Sequence, residues 1–314
     1  MIKVGVIGAG SIIGHHLKAL NQCTESKLVA VADINLARAE KVCQSRGAKA
    51  YADYMEMLDN EALDAVIINL PHSLHEPAAV ACAKRGIHTL LEKPMSVSEA
   101  SCQRIIDAFK ESKAMLQVGH VQRYRDENIA ARKIIESGEL GELVFISSIR
   151  TGNYFTENRP GWFWHRETAG GGISLNLGAH GMDKACYLSG SSIKSCTGQC
   201  TYHNDKTDVD SSAQTLLTME NGVTVHMAVC GYPSPGGERV DIYLTKGMIR
   251  IESWEGVQVY KDGKFENVDL SEYPDCFILQ WNDFIQGIKE GRLIGPSGEY
   301  SLQIVKNIQS LWNY

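Results

Sequence analysis

Hydrophobic runs near the amino terminus are short and evenly spaced. Ile2 to Ile7, Leu28 to Ala32, Asp64 to Leu70 stopping at Pro71, Ile87 to Leu91 and Met115 to Val118 read as short buried strands. Between them lie segments of helical period: His15 to Leu20, Ala37 to Val42, Glu76 to Arg85 closed by Gly86, and a helix to Phe109 entered through Ser96-Val97-Ser98-Glu99. Strand and helix alternate, which predicts a doubly wound parallel sheet over residues 1–120. After His120 the pattern changes. Glu127 to Ser137 is an amphipathic helix ended by Gly138, and Leu143 to Ile149 alternates like a half-buried strand. From Ser195 to Val268 strand-like segments follow one another without helices: Gln214 to Met219, Val223 to Val229, Val240 to Thr245, Met248 to Glu252 and Val257 to Tyr260. Asn221-Gly222, Lys246-Gly247 and Asp262-Gly263 are hairpin turns. Ile278 to Glu290 and Ser301 to Tyr314 close the chain as helices. The fold class is thus an α/β Rossmann-type domain, 1–120, followed by an α+β domain, 121–314, with a large, mostly antiparallel sheet. One face of that sheet is expected to carry helices and the other to stay open for contacts between subunits of a homodimer or homotetramer.

Composition narrows the partners. At 314 residues two domains are the expectation. The net charge of −6, without a long basic run, speaks against nucleic acid and anionic membrane. The apolar run at Ile2–Ile7 is too short for a signal-peptide core, and no stretch is long enough to span a bilayer. The nine cysteines are dispersed, form no Cys-x-x-Cys and are odd in number, which predicts reduced thiols in a cytoplasmic protein. Cys196 and Cys200 lack further ligands, so no metal site is expected.

Candidate chemistry gathers at the strand ends. Gly8-Ala9-Gly10-Ser11-Ile12-Ile13-Gly14 follows the first strand and opens a helix. Gly8 permits a tight turn, and Gly10 lets backbone approach a pyrophosphate seated on the helix amino terminus. The third glycine of the usual Gly-x-Gly-x-x-Gly would fall at position 13, which is Ile13; Gly14 is one late. Asp33 ends the second strand at the place of the acid that accepts the ribose 2′-hydroxyl of NAD, and its charge would repel a 2′-phosphate. Ile34 and Asn35 supply no arginine to reverse that, so the cofactor is read as NAD. Asp33 is also a candidate N-cap for the next helix. The strand from Ile87 stops at Glu92-Lys93-Pro94, which puts an ammonium at the carboxyl end of a strand, where open α/β sheets bind ligands. His72 and His75 have no acidic or sulfur partners in sequence and read as turn and helix-start residues.

Farther on, an aromatic, polar segment from Asn153 to Glu167 leads to Gly170-Gly171-Gly172. Such glycines before a helix let another chain or a cofactor come close. In the following helix Asn176 and His180 stand at i and i+4 and share a face.

Taken in order, Val6-Ile7-Gly8-Ala9-Gly10, Val31-Ala32-Asp33, Glu92-Lys93-Pro94, Gly170-Gly171-Gly172 with Asn176-x-Gly178-x-His180-x-x-Asp183, and Thr245-Lys246-Gly247 resemble the glucose-fructose oxidoreductase / inositol dehydrogenase / MocA family over essentially the whole chain. The resemblance implies an NAD-dependent oxidoreductase acting on a secondary alcohol or ketone of a sugar, polyol or sugar derivative. It implies that Lys93 and His180 are catalytic, with Asn176 at the position of the family's active-site aspartate. It places the cofactor on Gly8, Gly10, Ser11, Ile12 and Ile13, on Asp33 and Ile34, on Asn69, Leu70, Pro71 and His75, and on Glu92 and Lys93. It places the substrate on Lys93, Arg123, Trp164, His165, Asn176 and His180. Two alternatives share these residues: a glycosidase that oxidises its sugar transiently to allow elimination, and a non-enzymatic NAD-binding regulator of the same fold.

Overall fold

The structure, a computed structural model, describes residues 1–44, 46–203, 205–253 and 255–312. It divides into two compact units, Met1–Val121 with Phe277–Gln303, and Gln122–Cys276 with the chain from Ile304 on.

In the first unit six strands, β1 (Ile2–Ile7), β2 (Ser26–Ala32), β3 (Lys49–Tyr51), β4 (Ala65–Ile68), β5 (His88–Glu92) and β6 (Leu116–Gly119), pair in parallel in the order β3-β2-β1-β4-β5-β6. Helices α1 (Ile13–Gln22), α2 (Leu36–Cys43), α3 (Tyr54–Asn60), α4 (His75–Ala83) and α5 (Glu99–Ser112) connect them. Val4, Val6, Val31, Val66, Ile67, Leu90 and Leu91 are fully buried, as strands covered on both faces require. The strand order reverses between β1 and β4. That is the crevice where doubly wound sheets hold ligands, at the carboxyl ends of the strands. β3 escapes a reading by pattern because it is three residues long, at the sheet edge, with no buried position. Ser98 caps α5 as expected, sharing reciprocal hydrogen bonds with Ser101.

The second expected domain, 121–314, differs in one respect. Helix α9 (Cys276–Glu290) from Phe277 on, and the loop beyond it to Gln303, cluster with the first unit. Trp281 Nε1 donates to Ser26 Oγ at 3.1 Å, and Val118 N donates to the Pro296 carbonyl at 2.9 Å. Periodicity shows that α9 has an apolar face, with Trp281 and Phe284 in it, but not which core that face covers. Helix α10 (Gly298–Gln309) ends short of the expected Tyr314, and the last two residues lie outside those described.

The second unit holds α6 (Asp126–Ser137), α7 (Arg166–Ala169), α8 (Ala179–Ser189) and strands β7 (Leu143–Thr151), β8 (Ile193–Thr201), β9 (Ser212–Met219), β10 (Thr224–Cys230), β11 (Gly237–Leu244), β12 (Gly247–Glu252), β13 (Gly256–Lys261) and β14 (Lys264–Asn267). The strands form one 8-stranded sheet in the order β14-β13-β12-β11-β7-β10-β9-β8. β10 runs parallel to β7; every other pair is antiparallel. Asp262 and Gly263 have φ of 54° and 85°, the paired left-handed conformations of a two-residue hairpin loop. Alternation is clean on β9 and β10: Ala213, Thr215, Leu217, Met219, Val225, Met227 and Val229 point inward and are buried. α8 lies on this inner face. A Cβ on Gly181 would stand 2.3 Å from Met227 Sδ, so glycine lets the helix approach β10.

Candidate active site

The turn after β1 is closed by backbone contact. Gly8 has φ of +96°, and a Cβ there would lie 2.6 Å from the Asn69 carbonyl oxygen. No other residue fits. Gly10 differs: no protein atom lies within 4 Å of where its Cβ would stand, so its lack of a side chain answers to no protein contact. A pyrophosphate approaching the backbone at the start of α1 needs that open space. Ile13, at the third-glycine position, packs its side chain into the core as the first residue of α1. Ser11 and Ile12 form the turn between Gly10 and the helix.

Asp33 braces this turn from the end of β2. Its Oδ2 accepts from Ala9 N and its Oδ1 from Asn35 N, both at 2.8 Å. The carboxylate therefore does not cap α2, whose N-cap residue is Asn35; it orders the two loops instead. Each oxygen keeps a further lone pair for ribose hydroxyls. Ile34 is 97% exposed beside it. Across the strand-order reversal, the side-chain Oδ1 and Nδ2 of Asn69 are buried and have no hydrogen-bond partner among the described residues. A buried amide in that condition calls for a polar group from outside the protein. Glycine cradle, acid and amide together fit NAD.

Two buried side chains hold the adjoining strand ends. His75, 1% exposed at the start of α4, sets Nδ1 2.9 Å from the Pro94 carbonyl and Nε2 2.8 Å from the Leu70 carbonyl. It thus ties Leu70-Pro71 to Lys93-Pro94, and burial lowers its pKa against the pull of both carbonyls. Glu92 places Oε1 2.9 Å from His16 Nε2 of α1, and its Oε2 accepts from Lys93 N at 3.3 Å. Burial alone would raise the Glu92 carboxyl. The His16 hydrogen bond and the neighbouring charges of His16 and Lys93 outweigh it and hold the carboxyl below its ordinary range. Gly119 makes the space, since a Cβ there would meet Glu92 Oε1 at 3.2 Å. The half-buried Lys93 is thereby fixed at the carboxyl end of β5, next to β4.

The remaining expected residues belong to the second unit. The glycine run is explained by its own chain rather than by a cofactor. A Cβ on Gly171 would stand 2.4 Å from the Trp312 ring, and one on Gly172 would stand 1.9 Å from the Asp210 carbonyl oxygen. Asp210, fully buried ahead of β9, accepts from Gly172 N and Ser174 N at 2.7 Å each. Burial pushes its carboxyl up against those backbone hydrogen bonds. The helix it starts opens with a π turn, Ser174–Gly178, before α8. Asn176 therefore sits in a wider turn than the regular helix expected, and its Nδ2 donates to Tyr154 Oη at 3.0 Å. His180 is 8% exposed, one turn on.

Arg123 is directed at the fully buried Asp183, with Nε at 3.1 Å and a closer contact from Nη2, so its charge is answered within the protein. The next residue, Lys184, pairs with Glu238 of β11 at 2.8 Å, both largely out of water. The Trp164 carbonyl accepts from Thr207 Oγ1 at 2.6 Å, and His165 is exposed beside it. Tyr154 is 2% exposed, and burial takes its hydroxyl up to about 12. The Arg159 guanidinium stacks 3.8 Å from the Tyr154 ring centre and 4.7 Å from that of Phe163.

The first unit brings Gly8, Asp33, Asn69, His75, Glu92 and Lys93 to the carboxyl ends of β1, β2, β4 and β5. The second carries Arg123, Trp164, His165, Asn176 and His180. His16 and Asp210 escape the sequence pattern, their partners lying 76 and 38 positions away, whereas Tyr154 and Arg159 stand in the aromatic segment Asn153–Glu167, which does not itself show their contacts.

The model of an oxidoreductase family with an NAD-binding Rossmann fold matches residues 2–120, and the GFO/IDH/MocA C-terminal domain model matches residues 129–250. An inositol 2-dehydrogenase of Corynebacterium glutamicum strain R is 26% identical over 309 residues, covering 94% of this chain and 88% of that protein. A myo-inositol 2-dehydrogenase of Thermotoga maritima is 25% identical over 317 residues, with 95% and 91% covered. The crystal structure of an aldose-aldose oxidoreductase from Caulobacter crescentus, complexed with glycerol, superposes with a TM-score of 0.88. It covers 99% of this chain and 96% of that one at 22% identity, which shows the shared fold. With both halves matched and a strand-end cradle that fits the dinucleotide, the chain belongs to the GFO/IDH/MocA family of NAD-dependent oxidoreductases.

Proposed function

We propose that this chain is a dehydrogenase or reductase that transfers a hydride between NAD and a secondary alcohol or ketone of a sugar, polyol or sugar derivative. The observation that carries the reading is Lys93 at the carboxyl end of β5. It is held by the buried Glu92 and lies beside the crevice that Gly8 and Asn69 frame. The inositol dehydrogenases among the relatives support a polyhydroxylated substrate.

Bound NAD supplies the hydride acceptor, or its donor in the reverse direction. Gly8 and Gly10 give backbone to the pyrophosphate, and Asp33 accepts ribose hydroxyls. Lys93 donates a hydrogen bond to the reacting oxygen and stabilises the negative charge that develops there. His180 takes the hydroxyl proton on a ring nitrogen during oxidation and returns it during reduction. Asn176, tied to Tyr154, orients that end of the substrate without adding a charge. Trp164, His165 and Arg123 border the substrate. The dispersed cysteines, with no Cys-x-x-Cys among them, fit work in a reducing compartment such as the cytoplasm.

The test is NADH formation across a panel of free sugars, polyols, sugar acids and glycosides. Net NADH with a free carbohydrate, lost by about 10²–10⁴-fold in His180→Ala, is the expected result. Glycoside cleavage without net NADH would replace this reading with transient oxidation and elimination. NAD binding with no turnover of any compound would replace it with a sensor.

A further inference from the structure

Arg159 is a half-buried cation without an anion. Its guanidinium lies flat on Tyr154 at 3.8 Å and against Phe163 at 4.7 Å, and none of the described carboxylates pairs with it. Asp210, the buried acid that influences Tyr154, is already committed to Gly172 N and Ser174 N. Stacking occupies the face of the guanidinium and leaves its N–H edge to make hydrogen bonds, and a fork of that kind grips a planar carboxylate with two parallel hydrogen bonds. The same tyrosine accepts from Asn176 Nδ2 at its hydroxyl end, 3.0 Å away, and His180 follows one helical turn later, about 6 Å along the axis. Guanidinium and amide therefore stand at the face and the hydroxyl end of one tyrosine, and the imidazole follows on the helix that carries the amide.

We propose that Arg159 is a specificity residue and that the substrate is a sugar acid, its carboxylate on Arg159 and its reacting carbinol toward His180. A single guanidinium balances one negative charge. A phosphate monoester carries about −1.5 to −2 at neutral pH, more than Arg159 alone can answer, so a carboxylate is the matched group.

This inference rests on the dehydrogenase reading, and the experiment separates the two. Full-length protein with NAD is assayed on matched pairs, an aldose with its uronic acid and a polyol with its aldonic acid, together with an aldose phosphate. Calorimetric titration of the same acids into the protein with NADH is run alongside. The expected result is a kcat/KM for the acid at least about tenfold above that of its neutral partner. Arg159→Met should raise KM and Kd for the acid about tenfold to a hundredfold with a smaller change in kcat, and Arg159→Lys, which keeps the charge but not the fork, should fall between. Equal use of acid and neutral partner, preference for the phosphate, or an unchanged Kd in Arg159→Met would each overturn the assignment. If no carbohydrate yields NADH, the dehydrogenase reading fails, while the calorimetric Kd still decides whether Arg159 binds a carboxylate.

Discussion

At the scale of single residues, Lys93 is the one whose replacement separates chemistry from binding. Its backbone N–H donates to Glu92, and Glu92 is held in turn by His16, contacts that do not pass through the Lys93 side chain. Lys93→Met should lower turnover by at least about a hundredfold, the scale of one lost donor to a developing oxyanion. NADH affinity, read by fluorescence titration, should stay within about threefold of the parent, because a group acting in the transition state contributes little to ground-state binding. Retention of most activity would make Lys93 a structural charge. The position of Lys93 at a strand end was legible because the apolar run stops at Glu-Lys-Pro, and β5 does end at Glu92. Asp33 was legible as the acid after β2, although its bonds to Ala9 and Asn35 replaced the helix cap that the local pattern suggested. His16 and Asp210 were not legible, because a buried hydrogen bond across 76 or 38 positions leaves no local periodicity.

At the scale of elements, the helix that carries Asn176 and His180 is fastened at both ends. Asp210 holds its start, and Lys184 pins it to β11 through Glu238. Its glycines were legible as close approaches, but the neighbours turned out to be Trp312 and the Asp210 backbone. The π turn was not legible, since one extra residue per turn changes no residue type. Burial would raise the Glu238 carboxyl from its ordinary 4.5, but the charges of Lys184 and Arg150, the Lys184 hydrogen bond and more distant Arg125 bring it below that value. A carboxyl lowered by folding contributes stability that is present above its ordinary pKa and lost as pH falls through the lowered one. Lys184→Met removes the largest opposing charge and leaves a carboxylate out of water, so it should cost about 3–5 kcal/mol at pH 7. With that charge gone the Glu238 carboxyl rises, and a raised carboxyl favours the folded state toward acid. The gap in unfolding free energy between parent and Lys184→Met should therefore narrow from pH 7 to pH 4. Urea melts at the two pH values measure it, and a constant gap would mean that Glu238 does not titrate against Lys184.

At the scale of the whole molecule, the outer face of the 8-stranded sheet is the surface to weigh for contacts between copies of the chain. Alternation on β9 and β10 sends one set of side chains into the unit and the other out. The outward face also carries exposed apolar side chains from β7 and β9: Phe145 is 38% exposed, Ile149 47% and Leu216 50%. Phe145 stacks on Tyr243 of the neighbouring strand with ring centres 4.3 Å apart. Asp241 on the same face is met by both Arg239 and Arg250, at 3.0 and 2.7 Å. A sheet face that carries exposed apolar side chains suits self-association about a twofold axis, where each patch meets its own copy. We propose a homodimer, or a homotetramer built from it, through this face. Light scattering at micromolar concentration should give a mass of at least twice the 34.6 kDa chain. Leu216→Lys combined with Ile149→Lys puts like charges on the twofold face and should shift the mass toward the monomer while the circular dichroism spectrum is kept, because both side chains point away from the core. A monodisperse monomer in the parent protein, or an unchanged oligomer in the double variant, would remove this face from the assembly.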